Sequence, residues 1–414
     1  MPETSRRNTF EVLAFPEFRY YIFTRFFFIL VINMQSTLIS WKVYEITKDP
    51  FSIGLIGLVE FIPAFVMAFY AGHVIDRNDK KKLLFFSVAG NLALSLVLLL
   101  VTLPWSMQHL GQSSVLLSIY TIVFFTGIMR AFSGPTSFAL VNQLIPREKL
   151  PEAITWHTGS WQIAAVSGPA LAGLLYGKLG ITMTFYGMLF MLAISLTAVM
   201  FITNKPPLVH EREESILKSI REGFRFVWRS REVLGTMSLD LFAVFFGGAT
   251  ALLPYFADVI LKTGPEGLGM LRSAPALGSL LVLLLVTFRP LKKQQGRLML
   301  FCVGGFGFMI ILFGLSQMFW LSMFALFISG VMDGISVIVR STILQLKTPD
   351  GMRGRVASLN SIFIMSSNEL GAFESGLTSK FFGVVPAVVF GGCMTLVVVA
   401  VTWFKAPTLK KLNY

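Results

Sequence analysis

The sequence predicts an all-α polytopic membrane protein: twelve transmembrane helices in two six-helix halves related by pseudo-two-fold symmetry. Three observations carry this. The composition is too apolar for a water-soluble globule, the apolar residues fall into runs long enough to cross a bilayer, and the chain matches itself at half its length.

Of 414 residues, 54% are hydrophobic and 14% charged, with 40 phenylalanines and a mean hydropathy of +0.70. That balance leaves too little polar surface to face water all round. A net charge of +13 raises the question of nucleic-acid binding, but the basic residues sit beside apolar runs, so no nucleic-acid partner is expected. Cys302 and Cys393 each lie inside an apolar run and read as small hydrophobes.

The segment Met1 to Thr9, with Arg6 and Arg7, lacks the apolar core and small-residue cleavage site of a signal peptide and reads as a cytoplasmic arm. Phe10 to Phe18 predicts a short interfacial helix. Runs of about 20 apolar residues then predict spans near 20–41, 52–72, 83–103, 115–138, 156–177 and 182–202. A second set follows near 234–257, 267–288, 298–317, 319–341, 357–379 and 384–404. The division expected is 1–203 for the first bundle, 204–232 for a linker and 233–414 for the second bundle.

Lys and Arg gather in alternate loops: Arg77 to Lys82, Arg147 and Lys149, Lys205 to Arg231, Arg289 to Arg297, Lys347 to Arg355, and Lys405 to Lys411. Positive charge is retained on the cytoplasmic side, so both termini are expected there, in the inner membrane of a bacterium. The longest loop carries Ile216, Leu217, Ile220, Phe224, Val227 and Trp228 at helical spacing, which predicts an amphipathic helix on the cytoplasmic face.

An offset of 203 residues lays Phe124-Phe-Thr-Gly-Ile-Met-Arg130 on Phe327-Ile-Ser-Gly-Val-Met-Asp333, Ser133 on Ser336 and Pro146 on Pro349. Duplicated bundles of this kind build transporters with a site between repeats.

Between spans two and three stands Gly72-His-Val-Ile-Asp76-Arg77-Asn-Asp79-Lys80-Lys81-Lys82. A glycine there allows close helix approach, and Asp76 is suited to accept from a helix N-terminus or to pair with a cation. The segment resembles the signature loop of the major facilitator superfamily, and Gly72, Asp76, Arg77 and Lys81 are its matching positions. The resemblance implies a latch between the halves in the outward-facing state. Arg130 with Gly134 resembles the fourth-helix arginine motif. Gly168-Pro169 with Gly173 resembles the Gly-Pro motif of the family's exporters, where proline weakens the helix and glycine admits a neighbour. With Arg25 after a Phe-rich start and Leu344 to Val356, the pattern resembles the branch containing the enterobactin exporter and macrolide efflux proteins. Arg289 to Arg297 keeps charge but has no Asp, so no second latch is expected.

Ionisable groups inside spans cost roughly 2.5–3.5 kcal/mol each on insertion scales and mark function by default. They are Arg25, Glu60, Arg130, Asp240, Asp333, Glu369 and Glu374. Glu60, Asp240, Asp333 and Glu369 are candidates for proton coupling, with Arg25 and Arg130 as switching partners. Asp258, Arg272 and Arg340 fall near span ends, where snorkelling is expected. Asn33, Gln35 and Ser36 in span one and the polar face of span eleven, from Ser358 to Thr378, are candidates to line a cavity. His73, His109, His157 and His210 are scattered without ligand-spaced neighbours.

No metal cluster, phosphate-binding loop or nucleophile–base pair is present in the sequence, so no cofactor, metal or catalytic activity is expected. The expected partners are a small-molecule substrate, protons and membrane lipids, acting on a monomer. The leading expectation is proton-coupled export of a siderophore or hydrophobic drug-like molecule by alternating access. A lysophospholipid transporter and a non-transporting membrane sensor stay open as alternatives.

Overall fold

A computed structural model describes residues 10–205, 216–288, 294–349, 352–405 and 410, without the side chains of 216–220 and 287–288. The arm with Arg6 and Arg7, Pro206, Pro207 and the acidic start of the linker, Arg289, Lys292 and Lys293, and Lys411 lie outside the described residues.

The described chain is helical, as hydrocarbon requires of any segment that must close its own backbone hydrogen bonds. A short turn at Glu11–Ala14 precedes α1 (Pro16–Thr47), α2 (Pro50–Arg77), α3 (Lys80–Thr102), α4 (Pro104–Leu144) and α5 (Leu150–Met200). The linker helix α6 (Ile216–Arg229) is followed by α7 (Arg231–Phe246). Its span continues through short turns to Ile260. Then come α8 (Gly264–Phe288), α9 (Gln295–Leu315), α10 (Phe319–Lys347), α11 (Arg353–Phe382) and α12 (Val384–Lys405).

Ten stretches among the described residues are long and apolar enough to cross a membrane, and two local facts reconcile that number with twelve spans. Predicted spans five and six lie in the single run α5, which breaks at Gly180, where φ is +78° and ψ 173°. A β-carbon is strained there, so glycine turns the chain between two spans. Span eleven is α11, whose composition is too polar to qualify. Its hydroxyls and amides bond within the helix: Ser361 Oγ donates to the Ala357 carbonyl (3.1 Å), Ser366 Oγ to Ile362 (2.7 Å) and Asn368 Nδ2 to Ile364 (2.8 Å). The internal repeat has a structural counterpart, since α4 ends at Leu144 and α10 at Lys347, each two residues before a proline and separated by the same offset.

The chain falls into two compact units, Met1–Leu38 with Ile62–Glu211, and Ile39–Phe61 with Arg212–Tyr414. In the first, α1 packs on both parts of α5. Gly168 meets α1 so closely that a β-carbon would sit 2.7 Å from Asn33 Cβ and 3.0 Å from the Leu30 carbonyl oxygen. Thr24 and Ser195 exchange hydrogen bonds, each hydroxyl reaching the other's carbonyl at 3.3 and 3.0 Å. In the second unit, α8 and α10 touch through Gly278 and Gly330, and Ser279 Oγ donates to the Gly330 carbonyl at 2.9 Å. Likewise α11 meets the start of α2, where a β-carbon on Gly376 would come within 2.8 Å of Gly54 Cα. Close contact at small residues is how helices associate where lipid removes the hydrophobic drive.

Gly330→Val should therefore lower the unfolding midpoint in detergent by several degrees, because the new side chain collides with the Pro275 backbone. Gly134→Val, with nothing within 4 Å of its β-carbon among the described residues, should leave it unchanged; a differential scanning fluorimetry trace on each variant decides.

Candidate functional site

Among the described residues, three polar clusters hold ionisable groups within the helices, one in the first unit and two in the second. The first joins α1, α4 and α5. Tyr21 Oη lies 2.7 Å from Ser137 Oγ, 2.7 Å from His157 Nδ1 and 3.0 Å from the Ser137 carbonyl. Arg25 Nε donates to the His157 carbonyl at 3.1 Å and Nη1 to Ser137 Oγ at 2.9 Å. The rings of Tyr21 and His157 are nearly parallel, 9° apart. Tyr21 and Arg25 stand one turn apart on α1, a spacing visible in the sequence. Arg25 therefore has polar neutral partners, with no carboxylate among them in the described residues. His157, read as an isolated histidine, belongs to this network.

The second cluster pairs Asp240 of α7 with Arg340 of α10 in an ion pair buried among Leu239, Ala243, Val339 and Ile343. Asp240 is 9% exposed and Arg340 3%. Snorkelling does not describe Arg340. Its helix runs seven residues further, to Lys347, about 10 Å at the α-helical rise, so the side chain turns inward.

The third cluster gathers Ser40, Glu60, Arg272 and Glu369. Arg272 Nη1 donates to Ser40 Oγ at 3.0 Å, and Glu369 and Glu60 both act electrostatically on the guanidinium. Snorkelling fails for Arg272 too, since α8 begins eight residues earlier at Gly264. Two of the predicted acids, set 309 positions apart in the chain, thus share a cation that sequence reasoning had placed at the lipid boundary.

The remaining predicted residues are distributed more widely. Asp333, half-buried on α10, stands two turns before Arg340 and has no ion-pair partner among the described residues. Glu374 accepts from Thr378 Oγ1 at 2.8 Å. Arg130 is exposed, and its carbonyl accepts from Ser133 Oγ at 3.4 Å. In the signature loop Gly72, Asp76 and Arg77 are exposed and Lys81 half-buried. The close approach expected at Gly72 is not made: no described atom lies within 4 Å of its β-carbon. The N-terminus of α3 is capped by Asp79, which stands immediately before it and accepts from Lys81 N at 2.8 Å and Lys82 N at 3.3 Å. Lys80, 4% exposed, donates to the Asp76 and Asn78 carbonyls, both at 3.2 Å. Gly168, Pro169 and Gly173 are buried in α5, which stays helical through Pro169 and breaks only at Gly180. Gln35, expected to face a cavity, is buried and accepts from Ser95 Oγ at 2.7 Å. A cavity of about 710 Å³, lined by Tyr20, Phe23, Phe190 and Phe201 with Arg19, contains none of the predicted site residues.

Helical spans, a basic loop between α2 and α3 and buried charge clusters mark a polytopic membrane protein. The family model of the Major Facilitator Superfamily matches residues 21–372, and the chain belongs to that superfamily. It is 25% identical over 357 residues to the enterobactin exporter EntS of Shigella boydii serotype 18 (strain CDC 3083-94 / BS512), covering 86% of this chain and 84% of that protein. EntS of Escherichia coli O1:K1 / APEC gives the same identity and coverage. Among solved structures, a bacterial homologue of the human lysosomal transporter Spinster, in an inward-facing unoccupied conformation, superposes with a TM-score of 0.70 at 14% identity over 99% of both chains. A D-xylose–proton symporter gives 0.72 at 11%, over 98% of this chain and 99% of that one.

Removing one partner of a buried pair strands the other charge, at roughly 3–5 kcal/mol. Asp240→Asn and Arg340→Gln should each cause a large loss of thermal stability, whereas the double variant Asp240→Leu with Arg340→Met should recover most of it. Additive losses in the corresponding double-mutant cycle, measured by thermal unfolding, would contradict the pairing.

Proposed function

We propose that this chain is a proton-coupled exporter of a siderophore or hydrophobic drug-like small molecule, working by alternating access in the bacterial inner membrane. Both termini would lie in the cytoplasm. The two bundles, 1–203 and 233–414, would act as the moving bodies of a monomer, joined by the linker 204–232. Support for export comes from the enterobactin exporters that resemble the chain over most of its length and from the Gly168-Pro169 motif.

The observation that carries proton coupling is the sharing of Arg272 by Glu60 and Glu369. One cation acted on by two half-buried carboxylates leaves a net charge of −1, and charge within a membrane span is costly. Uptake of one proton makes the cluster neutral and its release restores the charge, so the protonation state is tied to whether water reaches it. Asp333 offers a second carboxyl on α10, two turns from the Asp240–Arg340 pair. The Tyr21–Arg25–Ser137–His157 network, in which Tyr21 and Ser137 are buried, ties α1 to α4 and α5.

In inside-out vesicles or proteoliposomes, efflux of a catecholate siderophore or a hydrophobic dye should depend on an imposed pH gradient. Glu369→Gln should remove that dependence, and efflux by this variant that still follows the gradient would sink the coupling assignment. Asp76→Asn should slow turnover at unchanged expression, as a latch residue requires; full-speed transport by that variant would return the signature loop to a purely topological role.

A further inference from the structure

The linker helix α6 presents two unlike faces. One is docked on α11: Gly223 is buried, a β-carbon there falling 3.1 Å from Leu359 Cδ1 and 3.2 Å from Arg355 Cβ. Glu222 accepts from Arg355 Nη1 at 2.6 Å. Val227, 2% exposed, closes an apolar cluster with Val233, Met237, Leu344, Val356 and Leu359.

The opposite face is open. Phe224 and Trp228, one turn apart, are 48% and 66% exposed, and their rings stack at 5.8 Å and 19°. Arg221, Arg225 and Arg229 recur every fourth residue beside them, all exposed and without an ion-pair partner among the described residues. Only Ser230 separates α6 from α7. Its N–H donates to the Phe226 carbonyl at 3.0 Å and its carbonyl accepts from Leu234 N at 2.8 Å, but its own backbone is extended (φ −88°, ψ 96°), so the helix breaks at this one residue and restarts as a membrane span. Trp228 is three residues from the start of that span, at most about 11 Å of chain. Aromatic side chains at this level favour the boundary between headgroups and acyl chains. Guanidinium forks match phosphate oxygens in geometry and charge.

We propose that this face of α6 is a binding site for anionic phospholipid. The guanidinium groups of Arg221, Arg225 and Arg229 take the phosphodiesters, and the Phe224–Trp228 pair enters the top of the acyl-chain layer. Through Glu222–Arg355 and Gly223, the occupied site steadies the N-terminal end of α11, the helix that carries Glu369. The inference rests on the cytoplasmic placement of α6 proposed above, where anionic lipid headgroups attract basic segments.

Native mass spectrometry of the detergent-purified full chain, offered phosphatidylglycerol or phosphatidylcholine, tests the site without a transport substrate. Phosphatidylglycerol should bind more tightly, by about fivefold for each of the three arginines. Replacing Arg221, Arg225 and Arg229 together with Gln should abolish the preference, and replacing them with Lys should largely keep it. Equal binding of both lipids, or a preference that survives the Gln triple, overturns the site. Excess inorganic phosphate should not displace the lipid; displacement would mark a free-anion site instead. Glu222→Gln should keep the lipid preference yet lose the rise in unfolding temperature that phosphatidylglycerol confers, and a rise that persists would sever the link to α11. Separately, labelling of an Arg225→Cys variant only from outside the cell would remove the cytoplasmic placement and leave the binding result standing.

Discussion

Hydrocarbon offers no hydrogen-bond partner to a peptide group, and every feature of this chain answers that constraint. Helices close the backbone internally. Where α11 carries serines and asparagine, their side chains return to carbonyls of their own helix. Where helices meet, glycine and serine bring backbones into contact, as at Gly278 and Gly330 or Gly54 and Gly376. Asp240 and Arg340, and Arg272 with Ser40, enter the interior in company, whereas Asp333 has no ion-pair partner among the described residues.

The two clusters of the second unit answer that constraint in different ways. Asp240 and Arg340 balance one for one inside an apolar shell, an arrangement suited to holding α7 against α10. Around Arg272 the balance is two acids to one base, which leaves a charge that one proton removes. A pair with nothing left over suits a structural role, and a cluster with one carboxylate in excess is the basis of the proton-coupling proposal.

The helix α6 extends the same reasoning to the membrane surface. Its buried side uses small and apolar residues plus one ion pair to grip α11, and its open side presents aromatic and guanidinium groups, the pairing on which the lipid-site proposal rests. Only Ser230 separates α6 from α7, and α6 is packed on the start of α11 through Glu222–Arg355 and Gly223, so the linker helix belongs to the second compact unit.

Much of this was legible in sequence. Composition and 20-residue apolar runs gave the class of fold, the repeat offset anticipated that α4 and α10 end at equivalent positions, and the loop from Gly72 to Lys82 pointed to the superfamily. The fate of individual charges was not legible. Arg272 and Arg340 looked like boundary residues because apolar windows locate span ends only to within several residues, and two turns of error separate a snorkelling arginine from a buried one. That Asp79 caps α3 could be seen only once the helix start was known to follow it. Which acid meets which base depends on packing between helices far apart in the chain, and hydropathy records only distance from lipid. The sequence by itself thus determined the number of helices and the solvent they face, since both follow from local composition. Tertiary structure alone decided the partnerships of Arg25 with Ser137, Asp240 with Arg340 and Arg272 with two glutamates, because a long-range contact is set by how helical faces turn toward one another.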